Sequence, residues 1–301
     1  MIHRLLVLLV ALSFGAGLAQ DPITIGSKID TEGSLLAQMI RLVLEAEGIP
    51  VEDRSGFGTT SVVREALLAG EIDLYPEYTG SALSFLDAEV GEDVTTDAQR
   101  LYDTVKDLDA ANGVVWLGRS PANNTWAIAV PQTLAEANDL STMADLARYV
   151  NAGGEFKLAA SQEFVDREDA LKAFERVYGF DVADEQLVIL AGGNTTQTET
   201  AAAQGTDGVN AAMAYGTDGA IATLGLVALT DPEGAVLIYQ PAPIVRAEVL
   251  EAYPQLPELL DPLFALLDEA TLSELNGRVA VNGENPADVA QDFLSAQGLL
   301  D

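Results

Sequence analysis

The sequence predicts a layered α/β protein built as two lobes of similar size. Three observations predict it. Short apolar runs bounded by turn residues alternate with segments of helical period along the chain, the pattern of strands interleaved with helices. The length of 301 residues suffices for two domains. The elements also fall into two successive groups joined near residues 119–125 and 231–239, with four closing helices left over to complete the first group. Lobe 1 is therefore expected to be discontinuous, residues 20–123 plus 238–301, and lobe 2 to span 124–237. There is no internal repeat and no low-complexity linker.

Residues 1–19 stand apart. Arg4 precedes an apolar run at 5–12, and Gly17 and Ala19 supply the small residues of a cleavage site, which together read as a secretory signal peptide. The run is shorter than the roughly 20 residues a spanning helix needs. The mature chain is expected to be a soluble periplasmic protein, and the absence of cysteine leaves no lipid-anchor residue after the leader. The same absence excludes disulfides, thiolate metal sites and a cysteine nucleophile. The one histidine, His3, lies in the leader, so a Ser-His-Asp triad and a histidine zinc site are excluded as well. No metal or cofactor is expected. A net charge of −32 repels nucleic acid and anionic lipid.

Taken in order, a strand is expected at 23–26, then a helix from about Glu32 whose apolar residues Leu35, Leu36, Met39, Ile40, Val43 and Leu44 share one face and which Gly48 ends. Lys28 falls in the turn between them. Residues 56–61 read as a glycine-rich turn with hydroxyl caps for a helix ending at Gly70; no lysine follows in the phosphate-loop position. The stretch 71–82, E-I-D-L-Y-P-E-Y-T-G-S-A, organises the rest. Residues 72–75 read as a strand, and Pro76 and Gly80 as the brackets of a turn. That turn presents Tyr78 and Ser81 at the carboxyl end of a strand, the edge where ligands sit in open α/β sheets.

A helix capped by Thr95 or Thr96 and closed by Gly113 follows, then strands at 114–117 and 125–130. In the second group, helices are expected at 143–150, 167–178 and 195–204. Its strands are expected at 156–160, 187–190, 209–215, 226–229 and 235–239. The tail reads as helices at 247–253, 257–268, 271–279 and 286–297, with Pro286 suited to a first helical turn.

Four stretches then carry a resemblance: I-G-S-K at 25–28, G-x-G-T-T-x-V-V-R-E-A-L-x-x-G-E-I-D-L-Y-P-E-Y-T-G at 56–80, Y-G-T-D-G-x-I at 215–221, and L-N-G-R-V-A-V-N-G-E-N-P-A-D-V-A-Q-D-F-L at 275–294. In that order they resemble the substrate-binding proteins of osmoprotectant ABC transporters, the glycine betaine, choline and carnitine family. The resemblance covers essentially the whole mature chain. It implies the type II periplasmic binding protein fold, two α/β lobes closing on a cleft, no enzymatic activity, a monomer, and the permease subunits of an ABC importer as partner. It also implies an aromatic cage of Tyr78, Trp126, Tyr215 and Tyr239, carboxylate-binding groups Lys28, Ser81 and Arg167, and a backbone contact from Asn124. Position 126 is more usually Tyr in such proteins and position 81 often Thr; Trp enlarges the π face and Ser removes one methyl.

These residue types suit an onium ligand. A trimethylammonium group donates no N–H hydrogen bond, and ring faces attract it by roughly 0.5–2 kcal/mol each. Arg167 would clamp a ligand carboxylate with paired donors, and Lys28 would add a point charge. Arg167 has an alternative role, since Asp166, Glu168 and Asp169 crowd the same helix start. Tyr75, Tyr102, Tyr178, Tyr253 and Trp116 read as structural. Two other functions compete: a carboxylate-dependent hydrolase using Glu71, Asp73 and Glu77, and a sensory binding domain of the same fold with no transporter. Choline or carnitine selectivity is the alternative within the family.

Overall fold

The computed structural model describes residues 21–300 apart from positions 87, 89, 192 and 193; the expected signal peptide lies outside the described residues. Among the described residues, ten strands form two five-stranded sheets. They are β1 (Ile23–Lys28), β2 (Val51–Gly58), β3 (Leu74–Tyr78), β4 (Val114–Trp116), β5 (Trp126–Pro131), β6 (Leu158–Ser161), β7 (Leu187–Leu190), β8 (Ala211–Tyr215), β9 (Leu226–Ala228) and β10 (Pro241–Arg246). The first sheet has the order β2-β1-β3-β10-β4 and the second β7-β6-β8-β5-β9. In each, parallel pairs built through helical crossovers give way to antiparallel ones: β10 runs against β3 and β4, and β5 against β8 and β9. Among the described residues no helix is long and apolar enough to cross a membrane.

The chain passes between the sheets twice, after β4 and again before β10. The two passages are bonded side by side. Asn124 N–H donates to the Tyr239 carbonyl (2.9 Å) and Ser120 N–H to that of Pro241 (2.8 Å). Thr125 Oγ1 donates to the Leu237 carbonyl (2.8 Å), and Tyr239 N–H to Asn123 Oδ1 (2.8 Å). The buried helix Thr31–Ala46 packs Leu35, Leu36, Met39, Ile40 and Leu44 into the largest core cluster, the face its periodicity predicts. Asp30 caps it, accepting from Gly33 N–H at 2.7 Å.

Several elements differ from expectation. Residues 51–58 form β2, where the sequence had suggested only a glycine turn; it is an exposed edge strand, so the alternation that would reveal it is missing. Pro76 lies inside β3 rather than opening a turn. It pairs with Pro243, and Tyr78 pairs with Pro241, so the missing N–H groups fall at alternate positions and the intervening pairs Glu77–Ala242 and Tyr75–Ile244 are left to carry the ladder. The strand expected at 235–239 is instead β10, six residues further along, where two prolines disguise it. The helix expected at 167–178 is two helices, Gln162–Asp166 and Leu171–Tyr178, with Arg167 extended between them. The helix Gln132–Asn138, entered directly from Pro131, was not expected. Asp97, not Thr95 or Thr96, caps the helix Ala98–Ala110.

Candidate functional site

Tyr78 is the last residue of β3 and leads directly into the short helix Thr79–Leu83. Because β1 and β3 are parallel neighbours, their carboxyl ends bring Lys28 beside Tyr78. The Lys28 ammonium sits 4.7 Å from the Tyr78 ring centroid, donates to Glu77 at 2.6 Å, and reaches Ser81 Oγ at 3.3 Å. Glu77 is fully buried and also accepts from Tyr75 Oη (2.6 Å) and Tyr78 N–H (2.7 Å). Lys28 therefore enters the site as half of a neutralised pair rather than as a free cation.

Trp126 and Tyr215 stand directly opposite each other in the antiparallel register of β5 and β8. Cross-strand partners on one face meet, and their rings lie 4.6 Å apart at 34°. Tyr239, on the returning connector, meets Trp126 edge-on at 6.3 Å and accepts from its Nε1–H at 3.1 Å. Phe164 backs Trp126 at 5.2 Å. The Tyr239 ring lies flat against Gly80: a Cβ built there would come within 2.9 Å of three ring carbons. Gly80 is helical, with no positive φ; its value is room for the ring, not the turn geometry its sequence context suggests.

These side chains converge on one cleft, lined by Lys28, Ile29, Asp30, Thr59, Thr60, Tyr78, Ser81, Asn124, Trp126, Glu163, Tyr215 and Tyr239, enclosing about 500 Å³ with the solvent at its mouth included. Seven of the eight expected site residues are brought together there. Arg167 is not. It spends its guanidinium on Asp169, through Nε at 2.8 Å and a terminal nitrogen at 2.6 Å, and on Glu163 at 3.2 Å, and it lines a neighbouring cavity. Asp169 in turn accepts from Tyr239 Oη at 3.1 Å, so Arg167 reaches the cleft only through two other side chains.

Of the other lining residues, Asp30, Glu163 and Ile29 escaped the sequence reading, and Thr59 and Thr60 were read as helix caps. The first two are acidic residues at helix starts, where an anion is ordinary, and nothing in their spacing marks them. Burial holds the Asp30 carboxyl above the usual range. Burial also pushes the Tyr78, Tyr215 and Tyr239 phenols up, so all three stay protonated. Tyr78 Oη donates to Glu32 (2.9 Å) and Tyr239 Oη to Asp169; a hydroxyl leaning on a carboxylate leaves its ring richer in electrons. Asn124 Oδ1 is buried with no hydrogen-bond partner. Rings and carboxylates make a surface that favours a large, weakly hydrated cation. The three acids of the hydrolase reading do not gather. Glu71 is exposed, Asp73 is bonded to Thr24 N–H and Arg246, Glu77 is held by Lys28, and none of them lines the cleft.

Two α/β sheets with strand ends converging on a ring-lined cleft define a solute-binding protein of the type II periplasmic class. The chain belongs to the family of substrate-binding domains of ABC-type glycine betaine transport systems, whose model matches residues 21–296. It is 52% identical to the glycine betaine-binding protein YehZ of Escherichia coli over 97% of this chain and 96% of that protein. It is 34% identical to a glycine-betaine-binding protein of Pseudomonas aeruginosa, over 99% and 95% respectively. The solved structure of apo YehZ from Escherichia coli matches with a TM-score of 0.70 over 93% of this chain and 100% of that one, at 52% identity. The family consists of transport binding proteins, not enzymes, and the hydrolase reading is set aside.

Proposed function

We propose that this chain captures glycine betaine outside the cytoplasm and delivers it, as a monomer, to the permease of an ABC importer. The observation that carries the reading is the convergence of Tyr78, Trp126, Tyr215 and Tyr239 on one cleft with Asp30, Glu163 and Asn124. The trimethylammonium head takes the rings. The ligand carboxylate takes Lys28, Ser81 and the start of the helix Thr60–Ala69, where Thr59 makes no side-chain cap and the first N–H groups favour an anion. Arg167 has no part in that contact. The two sheets serve as lobe 1 (20–123 plus 238–301) and lobe 2 (124–237), and residues 1–19 direct export.

A second ligand is favoured by a specific feature. Lys28 is matched by Glu77 and Glu163 by Arg167, so Asp30 leaves the lining acidic and suited to choline, a cation without a carboxylate. A thermal-shift and calorimetry panel of glycine betaine, choline, carnitine and sulfonium analogues decides between them. Glycine betaine at a hundred times its Kd is expected to add about 2.7 kcal/mol of stability. No shift with any onium compound sinks the reading; a shift with choline alone selects the second ligand.

A further inference from the structure

Behind the cleft lies a carboxylate that the ligand contacts do not account for. Glu32, in the first turn of the helix Thr31–Ala46, is 4% exposed and does not line the cleft. Its two oxygens accept four hydrogen bonds. Oε1 takes Tyr78 Oη and Asn124 Nδ2, both at 2.9 Å. Oε2 takes Thr217 Oγ1 at 2.5 Å and Asn276 Nδ2 at 2.7 Å. The donors come from the end of β3, the outgoing connector, the loop after β8, and the helix Glu269–Ala280. One oxygen thus serves two cleft-lining residues, and the other serves the loop that follows Tyr215 in the second sheet.

We propose that Glu32 is a positioning residue for ligand capture, orienting the Tyr78 ring and the Asn124 amide and tying both to the Thr217 loop of the second sheet. A carboxylate this buried needs charge-assisted donors on both oxygens, and here the full set exists only when segments of both sheets meet. The loop is brought within reach by a contact of bare backbone. A Cβ on Gly219 would lie 2.4 Å from Gly277 N and 2.3 Å from the Ser273 carbonyl oxygen, so only glycine lets the loop rest on the helix Glu269–Ala280. Asn276 closes the arrangement by also donating to the Thr217 carbonyl at 3.1 Å. A ligand that orders Tyr78 therefore strengthens the link to the second sheet, and the link in turn holds Tyr78 over the ligand.

The proposal rests on the glycine betaine reading, and its test separates the two. Glycine betaine is titrated by calorimetry into the wild-type protein, Glu32→Gln, Thr217→Val, Tyr78→Phe and the Glu32→Gln/Tyr78→Phe double variant. Dissociation rates and ligand-free melting temperatures are measured alongside. Glu32→Gln places an amide NH2 donor among donors and is expected to raise Kd about tenfold, mainly through faster release. Thr217→Val, which removes only the second-sheet arm, is expected to raise Kd about threefold. The double variant is expected to lie within about twofold of Glu32→Gln alone, because one bond is being removed twice. A lowered ligand-free melting temperature with Kd unchanged would show a scaffold role and overturn the proposal. If Glu32→Gln does not fold, Thr217→Val decides: an unchanged Kd overturns it. Wild-type protein giving no heat fails the ligand reading and takes this proposal with it, whereas unaltered variants beside a binding wild type fail Glu32 alone.

Discussion

Arg167 shows how far a side chain's role depends on what surrounds it. Its sequence context offered either a clamp for a carboxylate or an ion pair, and the structure gives the pair: Asp169 and Glu163 take its donors. Its effect on the cleft passes through Glu163, which lines it, and through Asp169 to Tyr239 and on to Trp126. Arg167→Ala is accordingly expected to weaken glycine betaine and choline alike, by about threefold to tenfold on the scale of one lost charge-assisted contact. Calorimetry with both ligands checks this; a selective loss of glycine betaine would restore the clamp. Trp126→Phe keeps the packing against Phe164 but shrinks the π face, and is expected to weaken both ligands about threefold to tenfold. Unchanged affinities would remove Trp126 from the cage. Tyr78 was legible in the sequence as the tip of a strand, and the other three rings only through the resemblance, which carries the cage over by position. Asp30 and Glu163 were not, because a carboxylate at a helix start looks the same whether it caps the helix or also faces a ligand.

At the level of elements, glycine and proline misled most. Gly80 suggested a reversing turn and instead makes space for a ring packed on a helix, while Pro76 hid the second half of a strand read at 72–75 and the prolines at 241 and 243 concealed its antiparallel partner. Cross-strand register is invisible before the topology is known, and it places Trp126 against Tyr215. Gly80→Ala is expected to push the Tyr239 ring off its seat and raise Kd about tenfold, in line with the 1–3 kcal/mol typical of overpacking. The helix Thr195–Gln204 supplies a different test. Glu199 is fully buried, its two carboxyl oxygens have no hydrogen-bond partner among the described residues, and the charge that bears on it is that of Asp218, which accepts from Tyr215 N–H. Burial raises Glu199 to about 9 and raises Asp218 as well; Thr195 opposes the Asp218 shift, and the more distant Glu32 charge adds to it. The folded pair thus keeps protons that the unfolded chain releases above about pH 4.5. Stability is therefore lost as pH rises from there toward 9. Melting temperature is expected to fall over that range in the wild type and to fall less in Glu199→Gln. Parallel curves would show that the pair holds no shared proton.

For the whole molecule, the two-sheet plan was readable from the alternation of strand and helix. What could not be read was that both passages between the sheets lie together. The acidic surface, with 47 Asp and Glu against 15 Lys and Arg, makes its own prediction. Self-repulsion destabilises the compact state and is screened within a Debye length of about 10 Å at 0.1 M salt. Melting temperature is expected to rise with sodium chloride across that range, and a flat response would show that the surface charges are already offset locally.

The paired passages have a mechanical corollary. A single tether would let one half of the molecule swivel about the other, whereas two, laced by Asn123, Asn124, Thr125 and Ser120 to 237–241, form a band that flexes along one line and resists twist. Such a band would confine any opening and shutting to one arc, so that the ring from β3 would meet the rings from β5 and β8 in the same register each time.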